Sequence, residues 1–203
     1  MTEILMFTGP HGAGKDFVEK NIRLQRDDMR RITRHITRQP ATGEIDGEDY
    51  HFVTREKFKS LIRYNQLIEW AEYPDVLSGT TTSEVLGTVE DKHFASLTIN
   101  LEDALTLEPS ISNLGLQSRA FFISPVTYST FVESPEQYLS SLKLRMESRG
   151  RHHEYVANKL AKAALYRETF LQSPNMQYIS NVDGQLENAV TQINLFLNKL
   201  DQA

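Results

Sequence analysis

The stretch Gly9-Pro10-His11-Gly12-Ala13-Gly14-Lys15 decides the fold of this 203-residue chain. It has the spacing G-x4-G-K and directly follows the apolar run of residues 3–8, which breaks at a Gly-Pro pair as a buried parallel strand would. A helix is predicted to follow, from Gly14 to about Leu24. Glycines let backbone N–H groups converge on phosphate oxygens, and the helix N-terminus and the lysine add positive charge. The stretch therefore predicts a phosphate-binding loop for a nucleotide.

One position next to this loop departs from the usual pattern. The residue after the lysine is commonly Ser or Thr, whose hydroxyl binds magnesium, and here it is Asp16. A carboxylate is also a hard oxygen ligand, so we expect Asp16 to bind Mg²⁺. The alternative is that Asp16 caps the helix and that phosphates and water alone hold the metal.

The composition excludes several classes of protein. The chain has no cysteine, which excludes disulfides and thiolate metal sites, and its longest apolar runs of about four residues predict no membrane span. The net charge of −5 argues against binding a nucleic-acid polymer. The N-terminus has neither the basic stretch nor the long apolar run of a secretory signal, so we expect a cytoplasmic protein.

Positive charge is nevertheless concentrated in two places. Six arginines lie between Arg23 and Arg38, and a second basic cluster spans residues 143–151, followed by His152 and His153. Two basic clusters in an acidic chain indicate two local anion sites. For any single arginine, an ion pair on a solvated helix face is the simpler interpretation, and the two histidines are expected on the surface.

Apolar runs alternate with amphipathic segments along the whole chain, which predicts an α/β fold with a mostly parallel sheet flanked by helices. No repeat or linker separates independent domains. The predicted strands are residues 3–8, 33–37, 50–53, 67–70, 95–101, 120–124 and 176–180, and the predicted helices are residues 14–24, 54–64, 82–91, 135–147, 154–171 and 186–200.

Five further blocks occur in the order and near the spacing of one known family. The segment 34–56 resembles the guanylate kinase signature T-R-x-P-R-x-G-E-x-D-G-x-D-Y-x-F, and Leu67–Glu72 resembles its (F/L)-x-E-W-A block. Shorter blocks follow: Gly79-Thr80 resembles the family's Y-G-(S/T), residues 145–150 resemble its R-x-x-x-R-G, and Ile179-Ser180-Asn181-Val182-Asp183 resembles its V-x-N-D-D. The chain therefore resembles guanylate kinases, which are P-loop nucleoside-monophosphate kinases, from residue 3 to about 190.

This resemblance implies an organisation and a reaction. It implies one domain, 1–203, with a core (1–33, 93–135 and 161–203), a monophosphate-binding lobe of about 34–92 and a mobile lid of about 136–160. It also implies transfer of the γ-phosphoryl group of ATP to GMP, dGMP or a closely related purine monophosphate with Mg²⁺. Nothing in the sequence predicts the oligomeric state.

The resemblance also implies roles for individual residues. Glu69 can accept the N1–H and amino donors of guanine, while Arg38 and Tyr50 would hold the acceptor phosphate. The expected catalytic residues are Lys15, Arg145 and Arg149; the expected ATP-binding residues are Gly9, Pro10, His11, Gly12, Ala13, Gly14, Lys15, Asp16 and Asn181; the expected acceptor-binding residues are Arg34, Arg38, Tyr50, Glu69, Ser78, Thr80 and Asn100; the expected metal ligand is Asp16.

Several acceptor-site positions differ from the family pattern. Arg34 replaces a serine, Ala41 replaces a phosphate-binding arginine and Ser78 replaces a phosphate-binding tyrosine. Thr98 and Asn100 stand where the family has an aspartate pair on a strand. We expect Arg34 to compensate, either by supplying positive charge at the acceptor phosphate or by donating to O6 and N7 of a purine.

Two alternatives share the fold but not the function. One is a catalytically impaired guanylate kinase-like module that only binds other proteins, which usually has a damaged phosphate loop. The other is a kinase of a small phosphorylated sugar. The intact loop argues against the first, and Glu69 with Trp70 in the block that faces the base argues against the second.

Overall fold

The computed structural model describes residues 2–90, 92–173 and 175–200. The chain divides into two compact units. The first contains the residues up to Leu5, Asp27–Leu97 and Glu102–Ser118; the second contains Met6–Arg26, Thr98–Leu101 and the residues from Arg119 onward. The predicted lobe 34–92 belongs to the first unit and the predicted lid 136–160 to the second, while their independent movement stays a prediction.

Strands and helices alternate along the described chain. In order they are β1 (Glu3–Thr8), α1 (Lys15–Arg23), β2 (Met29–Arg31), β3 (His35–Ile36), β4 (His51–Phe52), α2 (Arg55–Arg63), β5 (Leu67–Glu72), β6 (Leu77–Thr81), α3 (Thr82–Val89), β7 (Phe94–Thr98), α4 (Leu101–Asn113), β8 (Gln117–Ser124), α5 (Tyr128–Glu133), α6 (Pro135–Glu147), α7 (His153–Leu171), β9 (Met176–Ser180) and α8 (Leu186–Leu200).

A five-stranded sheet has the strand order β2-β7-β1-β8-β9. Its outer pairs are parallel, with Arg30 opposite Ala95 in β2–β7 and Phe122 opposite Tyr178 in β8–β9. Every residue of β1 is buried, as expected for a strand covered on both faces. The prediction of an α/β fold with a mostly parallel sheet is confirmed.

A second sheet lies wholly in the first unit and has the order β4-β3-β6-β5. Strand β3 pairs parallel with β4 and antiparallel with β6, which also pairs antiparallel with β5. Gly79 in β6 is necessary here because a Cβ atom would lie 2.6 Å from the carbonyl oxygen of Glu69 and 2.7 Å from Cβ of Trp70. This close approach positions Glu69 and Thr80 as neighbours across the β5–β6 pair.

Threonine hydroxyls define the start of three helices. Thr54, Thr81 and Thr127 each accept a hydrogen bond from the backbone N–H three residues later, at the beginning of α2, α3 and α5. The ring of His152 caps α7 in the same way by accepting from the N–H of Tyr155. Polar side chains thus cap the N-termini of these four helices.

Every predicted strand and helix overlaps an observed element, but four elements were missed: β2, β6, α4 and α5. The predicted strand 95–101 was too long, since β7 ends at Thr98 and Leu101 already begins α4. Similarly, α3 ends at Val89, and Asp91 at the end of that prediction lies outside the described residues. Across the described ranges, no helix is long and apolar enough to cross a membrane.

Candidate active site

The phosphate loop joins β1 to α1 in the second unit, and its glycines are required by its shape. Gly9 has φ 131°, and a Cβ atom there would lie 2.4 Å from the carbonyl oxygen of Ile123. Gly14 is the N-cap of α1 with φ 88°, and a Cβ atom there would lie 2.5 Å from Nδ2 of Asn181. Any other residue would be strained at either position and would displace its neighbour.

Lys15 is folded back on this loop. Its Nζ donates hydrogen bonds to the carbonyl oxygens of Gly9, at 2.9 Å, and Pro10, at 3.1 Å. Burial lowers the pKa of Lys15, the carboxylate of Asp16 opposes that shift, and the positive charges of Lys159 and Lys162 add to it. A cation short of water and near other cations is well placed to bind an anion.

Arg145, from α6, is bound to the same loop. Its NH1 donates to the carbonyl oxygens of Gly12, at 3.4 Å, and Ala13, at 3.3 Å. Its NH2 donates to the carbonyl oxygen of Asn181, at 2.5 Å, and lies 2.8 Å from Oδ1 of Asp183. Asn181 completes the contact, because its Nδ2 donates to the carbonyl oxygen of Ala13 at 2.8 Å. The predicted lid arginine is therefore held against the predicted phosphate loop.

A cleft of about 560 Å³ opens beside these residues. Its polar lining includes Arg145, Arg149, Asn181, Asp183 and Glu187, and its apolar lining includes Phe17, which is 58% exposed. Gly14 of the phosphate loop also lines the cleft, so the phosphates of a nucleotide bound there would lie beside the loop.

His11 is the loop residue with the most unusual environment. Loss of water around the ring lowers its pKa to about 3, and the positive charges of Lys15, Lys159, Lys162 and Arg151 add to that effect. Nδ1 of His11 lies 3.4 Å from the hydroxyl of Tyr155 in α7. The ring of Tyr155 also contacts the charged groups of Arg151 and Lys159, at 5.3 Å each. Four side chains from outside the loop, those of Arg151, Tyr155, Lys159 and Lys162, thus lie near His11.

Asp16 is the second residue of α1, and the N-cap of this helix is Gly14. It is therefore not the N-cap residue, although its negative charge in the first turn interacts favourably with the positive end of the helix dipole.

Two buried hydroxyls at strand ends, those of Thr8 and Thr98, have no hydrogen-bond partner among the described residues. Oxygen atoms of this kind suit Mg²⁺, which keeps several waters. Within the described ranges, no three His, Asp or Glu side chains form a metal-binding cluster, the pair His152-His153 included.

The acceptor half of the predicted site lies in the first unit. Arg38 forms a two-pronged ion pair with Glu44, with NH1–Oε2 at 2.5 Å and NH2–Oε1 at 2.6 Å. The hydrogen bond to Glu44 raises the pKa of Arg38, and the reciprocal bond lowers the pKa of Glu44. The guanidinium carbon of Arg38 also lies 5.2 Å from the ring centre of Tyr50. The structure thus brings together the two residues predicted to hold a phosphate.

Glu69 in β5 is the centre of a buried polar group. Arg34 donates to it from Nε, at 3.2 Å to Oε1, and from NH2, at 3.0 Å to each carboxylate oxygen. The hydroxyl of Thr80 donates to Oε1 at 2.6 Å, and Asp103 lies 3.8 Å from NH2 of Arg34. Burial raises the pKa of Glu69, Arg34 and Thr80 oppose the shift, and Asp103 adds to it.

A family model described as guanylate kinase matches residues 1–199. The chain belongs to the guanylate kinase family. The guanylate kinase of Bacillus subtilis is 32% identical over 162 residues, which cover 79% of this chain and 72% of that protein. The guanylate kinase of Thermosynechococcus vestitus is 30% identical over 162 residues, covering 79% and 77% of the two chains. The crystal structure of guanylate kinase from Anaplasma phagocytophilum has the same fold, with a TM-score of 0.67, 20% identity and coverage of 98% and 85%.

Membership of the guanylate kinase family makes this protein an ATP-dependent nucleoside-monophosphate kinase. It disfavours both alternatives, the binding module and the sugar-phosphate kinase. The family resemblance seen in the sequence is confirmed over nearly the whole chain.

Within this guanylate kinase fold, the predicted site residues fall into two groups. The loop residues, Asp16, Arg145, Arg149 and Asn181 lie in the second unit, together with Asn100 just before α4. Arg34, Arg38, Tyr50, Glu69, Ser78 and Thr80 lie in the first unit, where Ser78 is buried in β6. Their roles toward substrates stay predictions.

Three other residues of the site were missed by sequence reasoning. Glu44 and Asp103 are carboxylates that face the predicted acceptor arginines, and Tyr155 contacts the loop at His11. Glu44 stands only six residues after Arg38 and directly after Gly43, which has a positive φ. A turn that brings the two charges together could therefore have been predicted from the sequence.

Proposed function

We propose that this protein transfers the γ-phosphoryl group of ATP to GMP or dGMP, with Mg²⁺ as the metal. The observation that carries the proposal is the joint fixation of Lys15 and Arg145 on the phosphate loop by hydrogen bonds to its carbonyl groups. A loop with two such cations matches the needs of phosphoryl transfer, in which positioning and charge stabilisation provide most of the catalysis.

The donor side is assigned to the second unit. We place the adenosine of ATP in the 560 Å³ cleft, against the exposed ring of Phe17, with its phosphates along the loop. Lys15 then gives up its contacts with the carbonyl groups of Gly9 and Pro10 for phosphate oxygens, which are better partners for an ammonium group. Arg145 and Arg149 offset the charge that spreads over the transferred phosphoryl group.

The acceptor side is assigned to the first unit. Arg38 and Tyr50 hold the phosphate of the monophosphate, since the guanidinium is charged and lies beside the ring. Glu69 recognises guanine through its N1–H and amino donors, which adenine does not present in this pattern. Thr80 keeps the carboxylate of Glu69 in place.

Mg²⁺ fits the oxygen atoms near the loop. Asp16 would hold the ion, and the unpartnered hydroxyls of Thr8 and Thr98 would bind its water ligands. When bound, the ion neutralises charge on the phosphate oxygens of ATP. The proposal requires only nucleotide partners and no nucleic-acid polymer or membrane, and we place the enzyme in the cytoplasm, where both nucleotides occur.

The test is a coupled assay of nucleoside-diphosphate formation with MgATP and a panel of GMP, dGMP, IMP, AMP, CMP and UMP. We expect turnover with GMP and dGMP at least a hundredfold above AMP. Lys15→Ala should lower kcat/KM by about a hundredfold to a thousandfold, which corresponds to about 3–4 kcal/mol. Lys20→Ala, an exposed lysine on the same helix, is the matched control. A wild type that phosphorylates none of these monophosphates would refute the proposal.

A further inference from the structure

The face of Glu69 that would recognise guanine is already occupied by another side chain of the protein. Arg34 is only 8% exposed and Glu69 only 6%, and two nitrogens of Arg34 donate to this one carboxylate. With the hydroxyl of Thr80, Oε1 of Glu69 accepts from three donor atoms. A carboxylate in this state has little capacity left for a further pair of donors.

The guanidinium of Arg34 resembles the guanine edge in its chemistry. Guanine offers N1–H and an amino N–H, two parallel donors on an amidine-like group. Arginine offers Nε–H and an NH2 N–H, two parallel donors on a planar group of the same kind. Both fit a carboxylate as a two-pronged partner, so Arg34 and guanine compete for the same face of Glu69.

We propose that Arg34 determines acceptor specificity by occupying the guanine-recognising face of Glu69 until a base displaces it. The inference rests on the proposed recognition of guanine by Glu69. Displacement leaves Arg34 paired, because Asp103 lies 3.8 Å from its NH2 and is held in place by the hydroxyl of Tyr73 at 3.1 Å. Arg34 therefore moves from one carboxylate to a second one close by.

The exchange selects among purines because the pair is buried. Opening it without replacing the lost hydrogen bonds leaves a buried carboxylate unpaired, which is costly. Guanine replaces both donors at Glu69. Adenine has no such pair of donors and cannot replace the hydrogen bonds that Glu69 loses. The buried pair therefore rejects adenine more strongly than an exposed carboxylate would.

The occupied state also reduces the affinity for the correct base. If Glu69 is available in about a tenth of the molecules, the apparent Kd for GMP is about tenfold higher than the intrinsic one. Removing the competitor should recover that factor. This direction is opposite to that expected if Arg34 contacts the acceptor phosphate or base directly.

The experiment measures GMP binding by calorimetry to the full chain, as wild type, Arg34→Lys and Arg34→Ser. Arg34→Lys keeps the charge but not the two-pronged contact, and mildly alkaline buffer keeps Glu69 ionised in Arg34→Ser. We expect Kd for GMP to fall in the order wild type, Arg34→Lys, Arg34→Ser, by about tenfold in total. Arg55→Ser, which removes an exposed arginine paired with Glu72, is the matched control and should leave Kd unchanged.

A chemical probe separates competition from a general structural effect. Millimolar guanidinium chloride, far below denaturing concentrations, should bind the vacated position in Arg34→Ser and raise its Kd for GMP again. The wild type should not respond, and potassium chloride at equal ionic strength should have no such effect in either protein.

The inference is overturned if both Arg34 variants bind GMP as weakly as the wild type or more weakly, or if guanidinium does not compete in Arg34→Ser. Its failure differs from that of the proposed function. A wild type that phosphorylates GMP while the variants gain no affinity refutes only the role of Arg34, whereas absence of GMP turnover in every protein refutes the proposed function itself.

Discussion

The strongest stability prediction concerns Glu69→Gln. The carboxylate is 6% exposed and receives hydrogen bonds from Arg34 at 3.0–3.2 Å and from Thr80 at 2.6 Å. The substitution keeps the shape of the side chain but leaves the guanidinium of Arg34 with Asp103, 3.8 Å away, as its remaining anionic partner. Breaking a buried ion pair from one side costs about 3–5 kcal/mol. Since Asp103 compensates part of the charge, we expect about 3 kcal/mol.

Trp70 provides the assay for this prediction. It is the single tryptophan of the chain and follows Glu69 in β5, so its fluorescence reports on the unfolding of the first unit. Urea titrations of the wild type and Glu69→Gln give the difference in free energy of unfolding. A loss of about 3 kcal/mol would be a large part of the 5–15 kcal/mol that typically stabilises a protein.

A double variant tests the electrostatic reasoning. In Arg34→Met with Glu69→Met, both charges are removed and the volume is filled with apolar side chains, which is often neutral for a buried ion pair. The hydroxyl of Thr80 loses its acceptor at a cost of about 1 kcal/mol. We therefore expect the double variant to lose less stability than Glu69→Gln. A loss below about 1 kcal/mol for Glu69→Gln would show that the pair behaves like an exposed one and would refute the reasoning.

Three further predictions concern the second unit. If Asp16 is a metal ligand, Asp16→Asn should raise the Mg²⁺ concentration needed for half-maximal kcat and Asp16→Ser should restore part of it, whereas unchanged Mg²⁺ dependence in both would exclude that role. Phe17→Ala should raise the KM for ATP severalfold with little change in kcat, because it removes contact area for the base in the cleft; an unchanged KM would place the base elsewhere. The pKa of His11 falls from 6.5 in the unfolded chain to about 3 in the folded protein. As the pH drops from 6.5 to 3, the unfolded chain therefore binds a proton at His11 that the folded chain does not bind, and this lowers the free energy of unfolding. Stability should therefore fall less steeply between pH 6.5 and 3 in His11→Asn than in the wild type, which urea titrations can measure, and equal slopes would contradict the assignment.

The parts of the site that the sequence predicts are those whose signal is contiguous. The phosphate loop is one run of seven residues whose strand, glycines and helix follow each other directly, so its geometry at Gly9 and Gly14 follows from local requirements. The caps at Thr54 and Thr81 are equally local. A local pattern does not predict an element correctly when a residue that disfavours that element lies within it. Helix α4 was missed although Leu101, Ala104, Leu107 and Ile111 are buried at helical spacing, because Pro109 inside it disfavours a helix.

The contacts that the sequence does not predict join residues that are far apart along the chain. Arg34 and Glu69 are 35 residues apart and meet only through the β3–β6–β5 pairing. Arg145 and Ala13 are 132 residues apart, and a motif assigns both to one reaction without saying that they touch. Sequence spacing reports which residues share a strand face, but it contains no information about which distant carboxylate neutralises a given arginine.

Both arginines predicted for the acceptor share one property, which changes how substrate binding should be understood. Arg34 is paired with Glu69 and Arg38 with Glu44, each through two nitrogens. A nucleotide that binds here therefore exchanges partners and does not meet unpaired cations. The free energy gained on binding is the difference between the contact of the arginine with the nucleotide and its contact with the carboxylate. This difference is smaller than either contact alone, but it depends closely on geometry. A ligand that matches only one of the two pairs must open the other without compensation. Paired arginines would therefore reduce the affinity for a nucleotide but increase the discrimination between nucleotides.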